Sequence, residues 1–158
     1  MLKVSQKTEY AMRAMIELAL RHASDGGGLV PARAIAESQQ IPLRFLEQQL
    51  GTLHKAGLVE SFRGAGGGCR LAKEPAQIRM ADVVDAIEGP MFPMYCLDVE
   101  DHTCFADGRC GLQELWGDVY LAIRQTFERI TLADLAERHR RFVARPLFAP
   151  SELIRPRG

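Results

Sequence analysis

Three of the chain's four cysteines, Cys96, Cys104 and Cys110, fall within fifteen residues. Seven residues separate the first two and five separate the last two. The segment between them is polar, has no alternating apolar pattern, and carries an Asp107-Gly108 turn signal near its end. A loop with three thiols is suited to wrapping a soft or borderline metal, because reduced thiolates hold iron–sulfur clusters and zinc. Two plainer readings stay open at this point: three thiols without a ligand, or a disulfide with one thiol left over. His102 lies between the first two cysteines and would convert the loop to Cys-x5-His-x-Cys-x5-Cys, which also suits a structural zinc ion. Cys69 stands apart and reads as a packing residue of a strand. His22, His54, His102 and His139 are scattered, and no His/Asp/Ser constellation supports catalysis, so the chain is not read as an enzyme.

Composition frames this chemistry. The 158 residues can bury a real core, and their composition is that of an ordinary soluble protein. Lys3, Lys7, Glu9, Arg13 and Glu17 interrupt the first twenty residues, so no secretory or membrane-spanning run is read there. The expected compartment is therefore the cytoplasm, where thiols stay reduced, which weighs against a structural disulfide. The net charge of zero hides an asymmetry. Residues 1–80 hold 11 basic against 7 acidic residues, a net +4, and residues 81–158 hold 9 against 13, a net −4. Seven acidic residues and no Lys or Arg lie between Ala81 and Gly108. A basic front half points to a polyanion partner, whereas the acidic cysteine segment would repel a nucleic acid backbone. The halves read as a binding part and a sensing part.

The elements that must position these groups follow from periodicity. Residues 5–23 predict a helix, with Ala11, Ala14, Met15, Leu18 and Ala19 on one apolar stripe and Arg13, Glu17 and Arg21 spaced to pair on another face. Asp25-Gly26-Gly27-Gly28 ends it. Pro31 suits the start of a short second helix with Ile35 and Ala36 inward, and Pro42 opens a third with Leu43, Leu46, Leu50 and Leu53 in register and Gly57 just past its end. This pair is a helix-turn-helix candidate. Residues 58–63 and 69–72 read as strands around the glycine-rich turn 64–68, a basic hairpin of the kind that forms the wing of a winged helix. The glycine run lacks the Lys and Ser/Thr of a nucleotide-binding loop. Residues 80–89 predict another short helix, ended by Gly89-Pro90, and the cysteine loop occupies about 91–111. A long helix follows from about Leu112 to Arg129, with Leu112, Leu115, Val119, Ile123 and Ile130 near heptad spacing and Trp116, Tyr120 and Phe127 widening the stripe. That stripe is broader than the front domain can cover, so a second copy is expected against it. Thr131 and Asp134 can cap one more helix through His139. The expected architecture is mainly α with a small β wing. A winged helix-turn-helix domain spans 1–80, the cysteine loop and dimerisation helix span 81–142, and a flexible tail spans 143–158.

Several motifs occur together and in order: Lys7-Thr8-Glu9-Tyr10-Ala11-Met12-Arg13-Ala14, Ile41-Pro42, Phe45-Leu46-Glu47-Gln48, Ala56-Gly57-Leu58-Val59, Arg63-Gly64, Gly66-Gly67-Gly68 and Asp82-Val83-Val84. With them, residues 1–140 resemble the bacterial winged-helix regulators that include IscR, NsrR and RirA. The resemblance implies homodimers that bind semi-palindromic, double-stranded promoter DNA and carry an iron–sulfur cluster on three loop cysteines. IscR-like members have a histidine three residues after the last cysteine, where this chain has Gln113. The seven-and-five spacing is closer to the RirA type. NsrR-like members bind a four-iron, four-sulfur cluster with an N-terminal carboxylate of the other subunit as fourth ligand, and the matching residue is Glu9, with His102 its rival. The ligand set so implied is Cys96, Cys104, Cys110 and Glu9, holding a 4Fe–4S rather than a 2Fe–2S cluster. On the DNA side, Arg44 suits a phosphate or guanine edge and Gln48 a base edge. Glu47 matches a family position linked to sequence discrimination, and Arg63 suits the minor groove or backbone.

Overall fold

The computed structural model describes residues 4–89 and 110–144. Six α-helices and one two-stranded antiparallel sheet lie within those residues, in the order α1 (Gln6–Asp25), α2 (Ala32–Gln39), α3 (Leu43–Lys55), β1 (Val59–Phe62), β2 (Gly68–Leu71), α4 (Met80–Glu88), α5 (Gly111–Arg129) and α6 (Leu132–Ala144). The mainly helical winged-helix architecture expected from periodicity is the one observed.

Helix α1 sits at the centre. Ala11, Ala14, Met15, Leu18 and Ala19 are each 2 % exposed or less, as their spacing predicts. Around them α2, α3, α4, α6 and β2 all pack. Ser5 caps the helix by accepting from the Thr8 amide at 3.3 Å, and Gly26, in the left-handed region at φ 72°, closes it with an N–H to the His22 carbonyl. The α2–α3 turn is short. Gln40 adopts φ 52°, the left-handed region that side chains rarely enter, Ile41 is buried, and Pro42 opens α3. Leu46, Leu50 and Leu53 then bury one face of α3. Gly57, at φ 70°, stands one residue beyond the Ala56 cap.

The wing is docked, not free. Strands β1 and β2 pair Val59 with Leu71 and Phe62 with Gly68, and residue 30 adds a bridge from the stretch before α2. Val30 and Cys69 exchange two backbone hydrogen bonds of 2.8 Å. Gly68 allows this approach, because a Cβ there would lie 2.7 Å from the Val30 carbonyl. A short 3₁₀ turn over Pro75–Gln77 leads to α4.

Two polar ties join α4 to its neighbours. The Glu88 carboxylate, at the last residue of α4, accepts from the hydroxyls of Ser5 and Thr8 and lies 3.1 Å from the Lys7 ammonium. Lys7 also donates to the Ile87 carbonyl at 3.1 Å. A carboxylate at a helix C-terminus opposes the helix dipole, so these three donors are what make Glu88 favourable there. The second tie is Arg124 of α5, which reaches both oxygens of Asp85 at 2.6 Å and Glu128 at 2.8 Å. Helix α6 opens with the Thr131 and Asp134 capping exchange expected from sequence, and it runs to Ala144 instead of stopping near His139.

Partial burial pushes the Glu88 carboxyl up, but hydrogen bonds from Ser5, Thr8 and Lys7, with the charge of Lys7, outweigh it and hold the group below the ordinary carboxylate range. A folded-state value below the unfolded one stabilises the fold at neutral pH, and that contribution disappears as pH falls through the folded value. Urea unfolding measured from neutral into acid pH should therefore show Glu88→Gln less stable at neutrality and with a shallower acid limb. An unchanged acid limb would rule out the tie.

Candidate nucleic-acid interface and cysteine segment

The side of α3 turned away from the core carries Arg44, Glu47, Gln48, Gly51 and Lys55, all exposed. Arg44, Gln48, Gly51 and Lys55 recur at helical spacing and share one face, as expected from the burial of Leu46, Leu50 and Leu53 on the other. Among the described residues, neither Arg44 nor Lys55 has an ion-pair partner, so both charges face outward uncompensated. Lys55 is not among the candidates read from sequence, although the polar periodicity that marks Arg44 and Gln48 extends to it. Phe45 is 54 % exposed at the head of the same helix, where an apolar ring suits a thymine methyl or a sugar.

The wing supplies the second part of the surface. Arg63 comes directly after β1, is exposed, and has no ion-pair partner among the described residues. Arg70, by contrast, is engaged within the wing. Its Nε lies 2.7 Å from Glu60, and its guanidinium stands 5.3 Å above the ring of Phe62. Of the two wing arginines, Arg63 is thus the one with a charge to offer a phosphate backbone. Gly67 cannot carry a side chain, because a Cβ would meet the Phe62 carbonyl at 2.4 Å, so the wing tip stays slim.

Of the candidate ligands, Cys110 and Glu9 lie among the described residues. Cys96, Cys104 and His102 lie outside them, as do the Asp107-Gly108 turn and the tail beyond Ala144. Among the described residues no group of three His, Cys, Asp or Glu side chains comes together as a metal site. Cys110 is the residue before α5, half-buried, with a free thiol that does not cap the helix. Glu9 is exposed in the first turn of α1, where its contact is Arg13 at 3.4 Å. A free thiol and an accessible carboxylate are donors that an iron–sulfur cluster or zinc accepts, so the described members fit such a group. Cys69 has a different character. It is 3 % exposed in β2, and burial pushes its thiol up to about 11. Its packing role, read from sequence, is the one observed. Ser5, Thr8 and Lys7, which flank Glu9, tie its turn to the end of α4, where the chain leaves for the cysteine segment.

Helix α5 has no buried residue in the single chain. Leu112, Leu115 and Leu121 are 56, 55 and 52 % exposed, while Phe127 and Ile130 are partly buried against the core. Among the described residues no helix is long and apolar enough to cross a membrane.

Comparison with known proteins gives this geometry its context. The family model described as "Rrf2: Iron-dependent Transcriptional regulator" matches residues 4–138. The chain is 36 % identical over 135 residues to the HTH-type transcriptional regulator CymR of Bacillus subtilis, covering 85 % of this chain and 90 % of that one. The solved structure of that regulator, described as the global cysteine regulator, superposes with a TM-score of 0.73 over 87 % of this chain and 98 % of that chain, at 35 % identity. The regulator IscR of Aliivibrio salmonicida is 38 % identical over 134 residues, covering 85 % of this chain and 77 % of that one. The structure of T. potens IscR matches with a TM-score of 0.68 at 32 % identity, over 99 % of this chain and 94 % of that chain.

Two measurements check the surface. Replacing Arg63 by Ala should weaken DNA binding and lower the slope of log affinity against log salt by about one, and an unchanged slope would exclude a wing–phosphate contact. Iodoacetamide at neutral pH should alkylate Cys110 of metal-free folded protein and spare Cys69 until urea unfolds the chain. Native alkylation of Cys69 would contradict its burial.

Proposed function

The chain belongs to the Rrf2 family of transcriptional regulators, and from that premise we propose that it is a homodimer that reads promoter DNA and senses iron, nitric oxide or redox status through an iron–sulfur cluster. It is a regulator, like its named relatives, and not an enzyme. The observation that carries the DNA half is the exposed face of α3 beside a docked wing, with Arg44, Gln48 and Arg63 all presented outward. Arg44 takes a phosphate or a guanine edge, Gln48 a base edge, and Glu47 a cytosine amine. Residues 1–80 carry the DNA-binding surface, the sensing loop and dimerisation helix follow within 81–142, and the residues beyond the end of α6 at Ala144 are a tail. The uncovered leucines of α5 support the dimer, because a second α5 would bury them. A cytoplasmic location agrees with this role.

Cys96, Cys104 and Cys110 are the thiolates that would hold the cluster, and Glu9 of the partner subunit is its fourth ligand in this reading. The seven-and-five cysteine spacing and Gln113 favour the RirA- and NsrR-like types, and with them a 4Fe–4S cluster. Such a cluster, when bound, supplies reactivity toward nitric oxide, oxygen and iron shortage. The chain's own residues do the rest. Thiolates suit iron, while a carboxylate is a harder and weaker ligand, so an iron held by Glu9 would be the one open to exchange. Glu88 and Asp85 fix α4 to α1, which carries Glu9, and to α5, which Cys110 precedes. The acidic charge of the cysteine segment would disfavour its contact with a nucleic acid backbone. A change in affinity of tenfold requires only about 1.4 kcal/mol of coupling between the two parts.

A second reading keeps the fold and replaces the cluster with a structural zinc ion or a thiol switch. His102 among the cysteines favours zinc, and the likeness to a regulator described as a cysteine regulator favours a thiol switch.

Protein purified without oxygen should be brown, contain iron and sulfide, and respond to chelator and nitric oxide in DNA binding. Serine at positions 96, 104 and 110 should abolish the colour and the response. Colourless protein with stoichiometric zinc would establish the second reading instead.

A further inference from the structure

The α2–α3 turn is held from outside by α1, through one residue. Gln39, the last residue of α2, donates its side-chain amide to Glu17 at 2.9 Å, and its backbone carbonyl accepts from the guanidinium of Arg13. Glu17 is itself fixed by Arg21 at 2.7 Å, and its side chain is only 13 % exposed. Both ends of Gln39, main chain and side chain, are therefore gripped by neighbouring turns of α1.

The three residues after Gln39 leave little slack. Gln40 is in the left-handed region with its N–H on the Ala36 and Glu37 carbonyls, Ile41 donates to Ala36 at 2.9 Å and is buried, and the ring of Pro42 sets the start of α3. Arg44, Glu47 and Gln48 lie in the first two turns of that helix. The apolar face of α3 fixes how the helix is rolled against the core. A polar grip at the head of the helix adds a directional constraint that packing does not supply.

We propose that Arg13 and Glu17 are positioning residues for DNA recognition, which set the head of α3 by clamping Gln39. They touch no DNA. Their effect is on where Arg44, Glu47 and Gln48 present themselves to base edges. A dimer reads two half-sites at fixed spacing, so an error at one head is repeated at the other. Contacts to base edges need closer geometry than contacts to phosphates, so the clamp governs specific binding more than non-specific binding. The inference rests on α3 being the recognition helix.

The test uses full-length protein, a duplex selected from a random pool by the unaltered protein, and poly(dI-dC) as the non-specific probe. Gln39→Ala and Glu17→Gln should each weaken binding to the selected duplex about tenfold while leaving poly(dI-dC) affinity and the salt slope unchanged. The Glu17→Gln/Gln39→Ala double variant should be no weaker than the worse single variant, because one contact is removed twice. Helical content and a cooperative melt, measured on the same samples, identify variants that are folded. Unchanged affinity of folded Gln39→Ala and Glu17→Gln for the selected duplex would overturn the proposal. Equal losses on both DNAs, or a lower salt slope, would overturn it too, since either signals a phosphate contact or general damage. Arg44→Ala and Gln48→Ala separate the premise from the inference. If they leave the selected duplex bound as tightly as before, α3 is not the reading helix. If they weaken binding and the clamp variants do not, the clamp alone is refuted.

Discussion

The buried face of α1 is built largely from alanine, and that smallness sets how near every neighbour can come. Ala11, Ala14 and Ala19, with Met15 and Leu18, are surrounded by α2, α3, α4, α6 and β2. An added methylene on this face would push on several elements at once, because close-packed cores do not absorb volume without moving backbone. The first turn of the same helix and its Arg13–Glu17 side do polar work. Ser5, Lys7 and Thr8 hold Glu88 at the end of α4, and Arg13 and Glu17 hold Gln39 at the end of α2. One helix is thus the frame for the core, for the turn that leads into α3 and for the end of α4.

Local repetition decides which features are visible in the sequence. The stripes of α1, α3 and α4 are visible because burial at a period of 3.6 residues leaves apolar residues at that period. The wing is visible because a glycine run between two short strand-like stretches has few other uses. The ties that give those elements their positions are not visible. Ser5 and Glu88 are 83 residues apart, and Val30 and Cys69 are 39 apart, so no local pattern announces either pair. The extension of α6 to Ala144 also escapes periodicity. Its last turns are held by exposed pairs such as Glu137 with Arg141 at 3.1 Å, and such pairs leave no apolar stripe.

The site divides in the same way. The outward residues of α3 are legible, since a helix with one leucine face must present its other residues to solvent. Which of two wing arginines is free is not legible, because the answer depends on Glu60 lying opposite Arg70 across the hairpin. The cysteines are legible as a spacing, and chemistry narrows their possible ligands, but spacing carries no information on the fourth donor.

The distribution of strong and weak contacts bears on how such a molecule can switch. The core is apolar, and removing a single buried leucine such as Leu46 or Leu53 would cost about 2–5 kcal/mol. The ties of α4 to α1 and α5 are polar and partly exposed, and pairs of that kind are worth about 0.2–1 kcal/mol each. In the proposed reading, a signal acting at Glu9 or Cys110 meets ties it can outweigh before it meets a core that it cannot. Glu88 ties α4 to α1 and Asp85 ties α4 to α5, so in the proposed reading these are the contacts a switch would break. Energies of that order approach the coupling of about 1–3 kcal/mol by which effectors change affinity about 5- to 150-fold. In the proposed reading the DNA-reading helix and the sensing residues need a common rigid support, and α1 meets that need, because its residues hold both Gln39 before α3 and Glu88 at the end of α4.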